Sequence, residues 1–123
     1  MSGTEDVFIC GADALVDGGL GVRFPVLVFG EEATGFAVRY GGKVYAYLNR
    51  CAHVPIELDW FKGEFFESSK LQLMCSTHGA TYAPESGACT GGPCRGGRLR
   101  PIAVRESAEG VYWQPDEQFQ MPK

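Results

Sequence analysis

Histidine is nearly absent from this 123-residue chain, which has only His53 and His78. Long hydrophobic runs are missing altogether, and no apolar stretch approaches the roughly 20 residues that a membrane-spanning helix needs, so no membrane partner is expected. Positive charge is scarce too, with 11 Lys and Arg against 15 Asp and Glu and a net charge of -4. A nucleic-acid binder needs a basic face to displace counterions from phosphates, which this balance argues against; a basic partner surface fits it better. The opening residues MSGTEDVFIC lack the basic and apolar segments of a secretory leader, and the cytoplasm is the expected location. Helical periodicity is hard to find as well. Its best candidate, within residues 57–69, is interrupted by Gly63 and weakened by Ser68 and Ser69. Paired carboxylates such as Glu31 and Glu32 come without a histidine, serine or metal partner, so no acid–base site is expected. The glycine-rich GGPCRGG lacks the lysine and helix context of a phosphate loop.

What the chain does have is punctuation. Seventeen glycines and seven prolines separate short β-branched and aromatic runs: VFIC, VRFPVLVF, GFAVRY, KVYAYLN, KLQLMC, RLRPIAV and GVYWQ. In GFAVRYGGKVYAYLN two alternating runs flank Gly41-Gly42, a pair able to take the positive φ angles of a tight hairpin turn. Strands are predicted near 35–40 and 43–48. The fold class is all-β, antiparallel, with one domain over residues 1–123, a core of about 5–113 and a C-terminal tail at 114–123 whose prolines discourage regular structure. A monomer is expected.

Five cysteines are an odd number, and in a reducing compartment they read as metal ligands or buried thiols rather than as a disulfide framework. Two of them sit beside the histidines. Cys51-x-His53 follows the strand run ending YLN, and Cys75-x2-His78 follows LQLM, so each pair opens a loop at a strand end. Facing one another, the loops offer two thiolates and two imidazoles to one metal centre. Zinc accepts such a set, but its structural sites group cysteines with cysteines and histidines with histidines. Mixed loops suit a binuclear cluster better, because each loop can send its cysteine to one iron and its histidine to the other. A zinc-stabilised binding module is the alternative from another class.

Cys51-x-His53, Cys75-x2-His78, the following GATY and the Gly92-Pro93 element together resemble the Rieske [2Fe-2S] proteins, above all the small Rieske-type ferredoxins that serve oxygenases. The resemblance implies a β-sandwich or barrel carrying a cluster-binding subdomain of two loops, closed by a proline loop at Gly92-Pro93. It implies one [2Fe-2S] cluster per chain, held by Cys51, His53, Cys75 and His78, with the outer nitrogens of the histidines near the surface as an electron port. The segment 54–74 is a little longer than the family's usual spacing, with the excess expected in DWFKGEFFESSK. The implied function is electron transfer without catalysis of its own: the ferredoxin component of an oxygenase system, between a flavin-dependent reductase and a terminal oxygenase. A small Rieske subunit of a larger reductase, similar to that of nitrite reductase, is the alternative within the family.

Pro55, Ile56, Ser76 and Thr77 stand where high-potential members carry extra cysteines, and Ala80 stands where they carry a serine hydroxyl. The low-potential class is therefore expected, with the Tyr82 hydroxyl available to a ligand sulfur. Cys89 and Cys94 read as buried thiols, with a mutual disulfide or ligation as lesser alternatives, and Cys10 reads as core. Arg95, Arg98 and Arg100 read as a solvated strand face, with recognition of an acidic partner as the lesser alternative. Of Trp60, Phe61, Phe65 and Phe66, at least half are expected in the core, together with Trp113.

Overall fold

The computed structural model describes residues 6–50, 57–58, 63–67, 71–75, 79–92 and 97–121. The expected all-β fold is what it shows. β1 (Val7–Cys10), β2 (Val22–Val28), β3 (Glu31–Tyr40), β4 (Lys43–Leu48), β5 (Leu73–Met74), β6 (Thr81–Tyr82), β7 (Cys89–Gly91), β8 (Val104–Ser107), β9 (Gly110–Trp113) and β10 (Phe119–Gln120) form three antiparallel sheets. Their orders are β10-β2-β3-β4, β1-β9-β8 and β5-β6-β7. The sole helical element among the described residues is a 3-10 turn at Ala12–Ala14.

The β3–β4 hairpin is the centre of the fold. Gly41 and Gly42 take φ angles of 62° and 83°, as a two-residue turn requires, and set the register Tyr40↔Lys43 through Gly35↔Leu48. Residues 35–38 are buried without interruption, because this ribbon is covered on both faces. Ala37, Ala46 and Leu48 face a core shared with Phe24, Val26, Val28, Val111 and Trp113, in which Phe24 stacks on Trp113 at 5.6 Å. Phe36, Val38 and Tyr47 face a second core with Leu58, Phe65, Leu73, Tyr82 and Leu99, and the Phe36 and Phe65 rings stack at 4.0 Å. The second core fastens the β5-β6-β7 sheet to the hairpin.

Pro25 sits inside β2 without cost. Its partner Thr34 turns its carbonyl to the Asn49 N–H on the β4 side. The N–H that Pro25 lacks would therefore point away from β3, toward the side where the short β10 pairs only with Leu27 and Val28.

Three expectations are corrected. The run RLRPIAV is not a strand throughout. Arg98 and Pro101 make isolated bridges and β8 begins at Val104, because Pro101 lacks an N–H and the segment meets β4 only through Leu48 N–H to Arg100 O and Ile102 N–H to Ala46 O. Residues 114–121 do not leave the core. The Asp116 carboxylate accepts the N–H groups of Gln118 and Phe119 at 2.8 Å, which reverses the chain, pairs β10 with β2 and buries Phe119 to 1% exposure. Within the helical candidate, Gly63 is a turn residue at φ 90° and the chain then pairs with the 72–74 segment: Phe65 O accepts Met74 N–H, and Glu67 N–H donates to Gln72 O. Phe65 is core as expected, Phe66 is half-buried against Tyr40, and Trp60 and Phe61 lie outside the described residues. Trp113 is core, whereas Cys10 is only half-buried, its thiol pushed up by burial, with Arg39 opposing and Glu106 reinforcing that shift.

Arg39 ties the sheets together. Its guanidinium donates to the carbonyls of Leu15, Ala12 and Gly42 and grips both carboxylate oxygens of Glu106 on β8, at 3.0 and 2.5 Å. The hydrogen bond from Arg39 holds the Glu106 pKa below its ordinary value. A carboxylate of this kind contributes stability above its unfolded pKa of about 4.3 and loses it as pH falls through the lower folded value. Glu106→Gln should therefore cost about 1 kcal/mol at neutral pH, and its gap to wild type should close in acid. Thermal unfolding across pH measures this; a gap independent of pH would contradict the charge argument.

Candidate metal centre

Of the four residues expected to hold a metal, the described part of the structure contains Cys75; Cys51, His53 and His78 lie outside it. For that reason no group of three metal-binding side chains converges among the described residues. What is described is the frame from which both loops spring.

The second loop begins where β5 ends. Cys75 forms no disulfide and has 0% exposure, set among Leu58, Phe65, Leu73, Ala80 and Tyr82. Its N–H donates to Ala80 O and its carbonyl accepts the Gly79 N–H, each at 2.8 Å, so residues 75–80 form a loop pinched at its neck. Gly79, at φ 74°, supplies the left-handed residue that lets the chain return. An unoxidised thiol in an apolar wall, on a loop whose remaining donor is an imidazole, fits the cysteine–histidine donor set of a binuclear cluster. Ala80, fully buried, offers no hydroxyl. Tyr82 is buried on β6 opposite Leu73.

The first loop leaves β4 at Leu48 and re-enters the described chain at Glu57, which pairs with Arg23 on β2 at 2.5 Å. The third part of the frame is the end of β7. Gly92 has φ 83°, and a Cβ there would lie 2.9 Å from Ala80 Cα and from Gly79 O. The start of the expected proline loop thus lies directly on the backbone of the second expected ligand loop; Pro93 itself is outside the described residues.

Cys89 corrects another expectation, because it is a half-buried, disulfide-bonded residue at the end of the β6–β7 pairing and not a buried thiol. Its bonded sulfur also removes it from the ligand set; Cys94 and Arg95 lie outside the described residues. The exposed Arg98 donates to Ser86 O at 2.9 Å and the exposed Arg100 flanks buried Leu99, the alternation of a solvated edge. A disulfide at Cys89 is the lesser alternative in the sequence, and Glu57, an acidic residue soon after Cys51 and His53, is a signal that a search for metal ligands passes over.

The Gly92 contact is testable against a matched control. Gly92→Ala should cost about 1–2 kcal/mol from its left-handed backbone and, by displacing residues 79–80, should also lower bound iron. Gly41→Ala bears a similar backbone cost at φ 62° with nothing within 4 Å of the new Cβ, and should keep its iron. Equal iron content in the two purified variants would contradict the contact's role.

Comparison with known proteins places this frame. Residues 6–106 match the model of the Rieske [2Fe-2S] domain. Among solved structures, the ferredoxin of carbazole 1,9a-dioxygenase from Nocardioides aromaticivorans IC177 is 27% identical, with 90% of this chain and 98% of that chain covered and a TM-score of 0.70. The terminal oxygenase of carbazole 1,9a-dioxygenase from Novosphingobium sp. KA1 is 22% identical; 97% of this chain covers 31% of that one at a TM-score of 0.65, a likeness of fold. A similar likeness, 19% identity and TM-score 0.64, links it to a reduced complex between oxygenase and ferredoxin in carbazole 1,9a-dioxygenase. A search of curated protein sequences gives no match. The match over residues 6–106, on an antiparallel frame that presents a buried cysteine on a pinched loop, makes this chain a member of the Rieske [2Fe-2S] family, whose defining cofactor is the [2Fe-2S] cluster.

Proposed function

We propose that this electron-transfer protein is the ferredoxin component of a multicomponent oxygenase, reduced by a flavin-dependent reductase and oxidised by a terminal oxygenase. The observation that carries the reading is the likeness to a dioxygenase ferredoxin over 98% of that protein's length. A ferredoxin of this kind is found in complex with its oxygenase in the carbazole system, and the same type of partner is assigned to this chain.

Cys51, His53, Cys75 and His78 are the residues that would hold the cluster, two by thiolate and two by imidazole. When bound, the cluster would supply the carriage of one electron at a time. The chain's own residues tune and deliver it. Imidazoles in place of two thiolates leave the centre less negative, which raises its potential above that of all-cysteine clusters. Ala80 withholds the hydroxyl that would favour the reduced state, which keeps the potential in the lower part of the Rieske range of roughly -150 to +300 mV. Tyr82 is the proposed donor to a ligand sulfur. The net charge of -4 favours docking on basic partner surfaces. No helix is long and apolar enough to cross a membrane among the described residues, and the proposed location is the cytoplasm.

Potentiometric titration followed by mixing with partner proteins tests the reading. The midpoint should lie below zero, the reduced protein should be reoxidised by a terminal oxygenase, and a flavin reductase with NADH should re-reduce it. His78→Cys should lower the midpoint or lose the cluster. A midpoint well above zero would overturn the low-potential assignment, and failure of any oxygenase to accept the electron would overturn the assigned partner.

A further inference from the structure

We infer that Asn49 is a positioning residue for the cluster, closing the first ligand loop at its neck through its side chain. The inference rests on the assignment of Cys51 and His53 as ligands.

Asn49 is the one buried polar side chain among the described residues, at 4% exposure, and its chain neighbour Leu48 and its hydrogen-bond partner Leu58 are buried too. Its backbone N–H donates to Thr34 O on β3 at 2.7 Å, which seats it on the rigid β3–β4 ribbon. Its side-chain Oδ1 accepts the buried N–H of Leu58 at 2.8 Å. Leu58 has 0% exposure and belongs to the core that holds Cys75. One side chain therefore bridges the two ends of a loop whose interior, residues 51–56, contains Cys51 and His53.

The two loops solve the same problem by different means. The second is short enough for backbone to meet backbone, Cys75 N–H to Ala80 O. The first is longer, and an amide side chain makes the tie between its ends, Leu58 N–H to Asn49 Oδ1. A buried N–H left without an acceptor carries a desolvation penalty, which the loop would escape by opening toward water. Opening would release the two ends between which Cys51 and His53 lie in the sequence. Arg23 and Glu57 add a second tie just before Leu58, on the exposed side. It is screened by solvent and so is the weaker of the two. A functional site held within a fraction of an ångström requires supports of this kind on rigid elements.

The test uses the full-length, iron-loaded protein and three variants. Asn49→Leu keeps the volume and removes the acceptor; Asn49→Asp keeps the acceptor. Ile102→Val trims the other core and lowers overall stability without touching the loop. Iron release to a chelator and the electron paramagnetic resonance g-values of the reduced protein are recorded beside the unfolding midpoint. Asn49→Leu should release iron about tenfold faster than wild type with shifted g-values, Asn49→Asp should restore both, and Ile102→Val should change neither. Should Asn49→Leu fail to fold, Asn49→Asp decides alone: wild-type release and g-values support the bridge, and rapid release overturns it. Wild-type behaviour of Asn49→Leu, or release that tracks the unfolding midpoint in Ile102→Val as well, also overturns it. A wild-type protein without iron would instead contradict the ligand assignment beneath the inference.

Discussion

The Phe65 ring lies flat on Phe36 at 4.0 Å, and the rest of the molecule is arranged around that contact. Phe36 belongs to β3, whose opposite face builds the core with Trp113; Phe65 belongs to the segment that pairs with β5. Stacking them joins a frame of two sheets to a small third sheet that could not be stable alone, since its strands are only two or three residues long. Both proposed ligand loops spring from this junction. The first continues β4, the hairpin partner of β3, and the second continues β5.

A redox site gains from being built this way. Ligands carried on loops are held accurately only where the loop ends are fixed to rigid elements. Here the second loop is pinched by its own backbone, the first by the Asn49 side chain, and Gly92 rests directly on the second. Glycine at 92 follows from that arrangement twice over, by its φ of 83° and by the absence of room for a Cβ. The apolar wall around Cys75 keeps water from its side chain, and under the proposed ligand assignment such shielding is one of the levers that set a cluster's potential.

Much of this was legible in the sequence where local chemistry decides the outcome. Gly41-Gly42 demanded its hairpin, and mixed cysteine–histidine pairs pointed to a binuclear centre rather than to zinc. Legibility failed where a tertiary contact decides. β6, β7 and β10 are too short to show an alternating pattern and exist because neighbours complete them. The segment 114–121 looked like a departing tail because its prolines are visible locally, whereas the Asp116 turn and the pocket that takes Phe119 are not. Cys89 read as a thiol because pairing cannot be deduced from spacing. Asn49 gave one faint signal, a polar residue ending a buried strand two positions before Cys51.

The central claim is that both histidines of the chain serve one cluster. Reduced protein grown with 15N-histidine, measured by electron nuclear double resonance, tests it most directly. The account predicts two coupled histidine nitrogens in the wild type and one in any His78→Cys protein that retains its cluster. A reduced centre with no histidine coupling, or with a single coupling in the wild type, would contradict it.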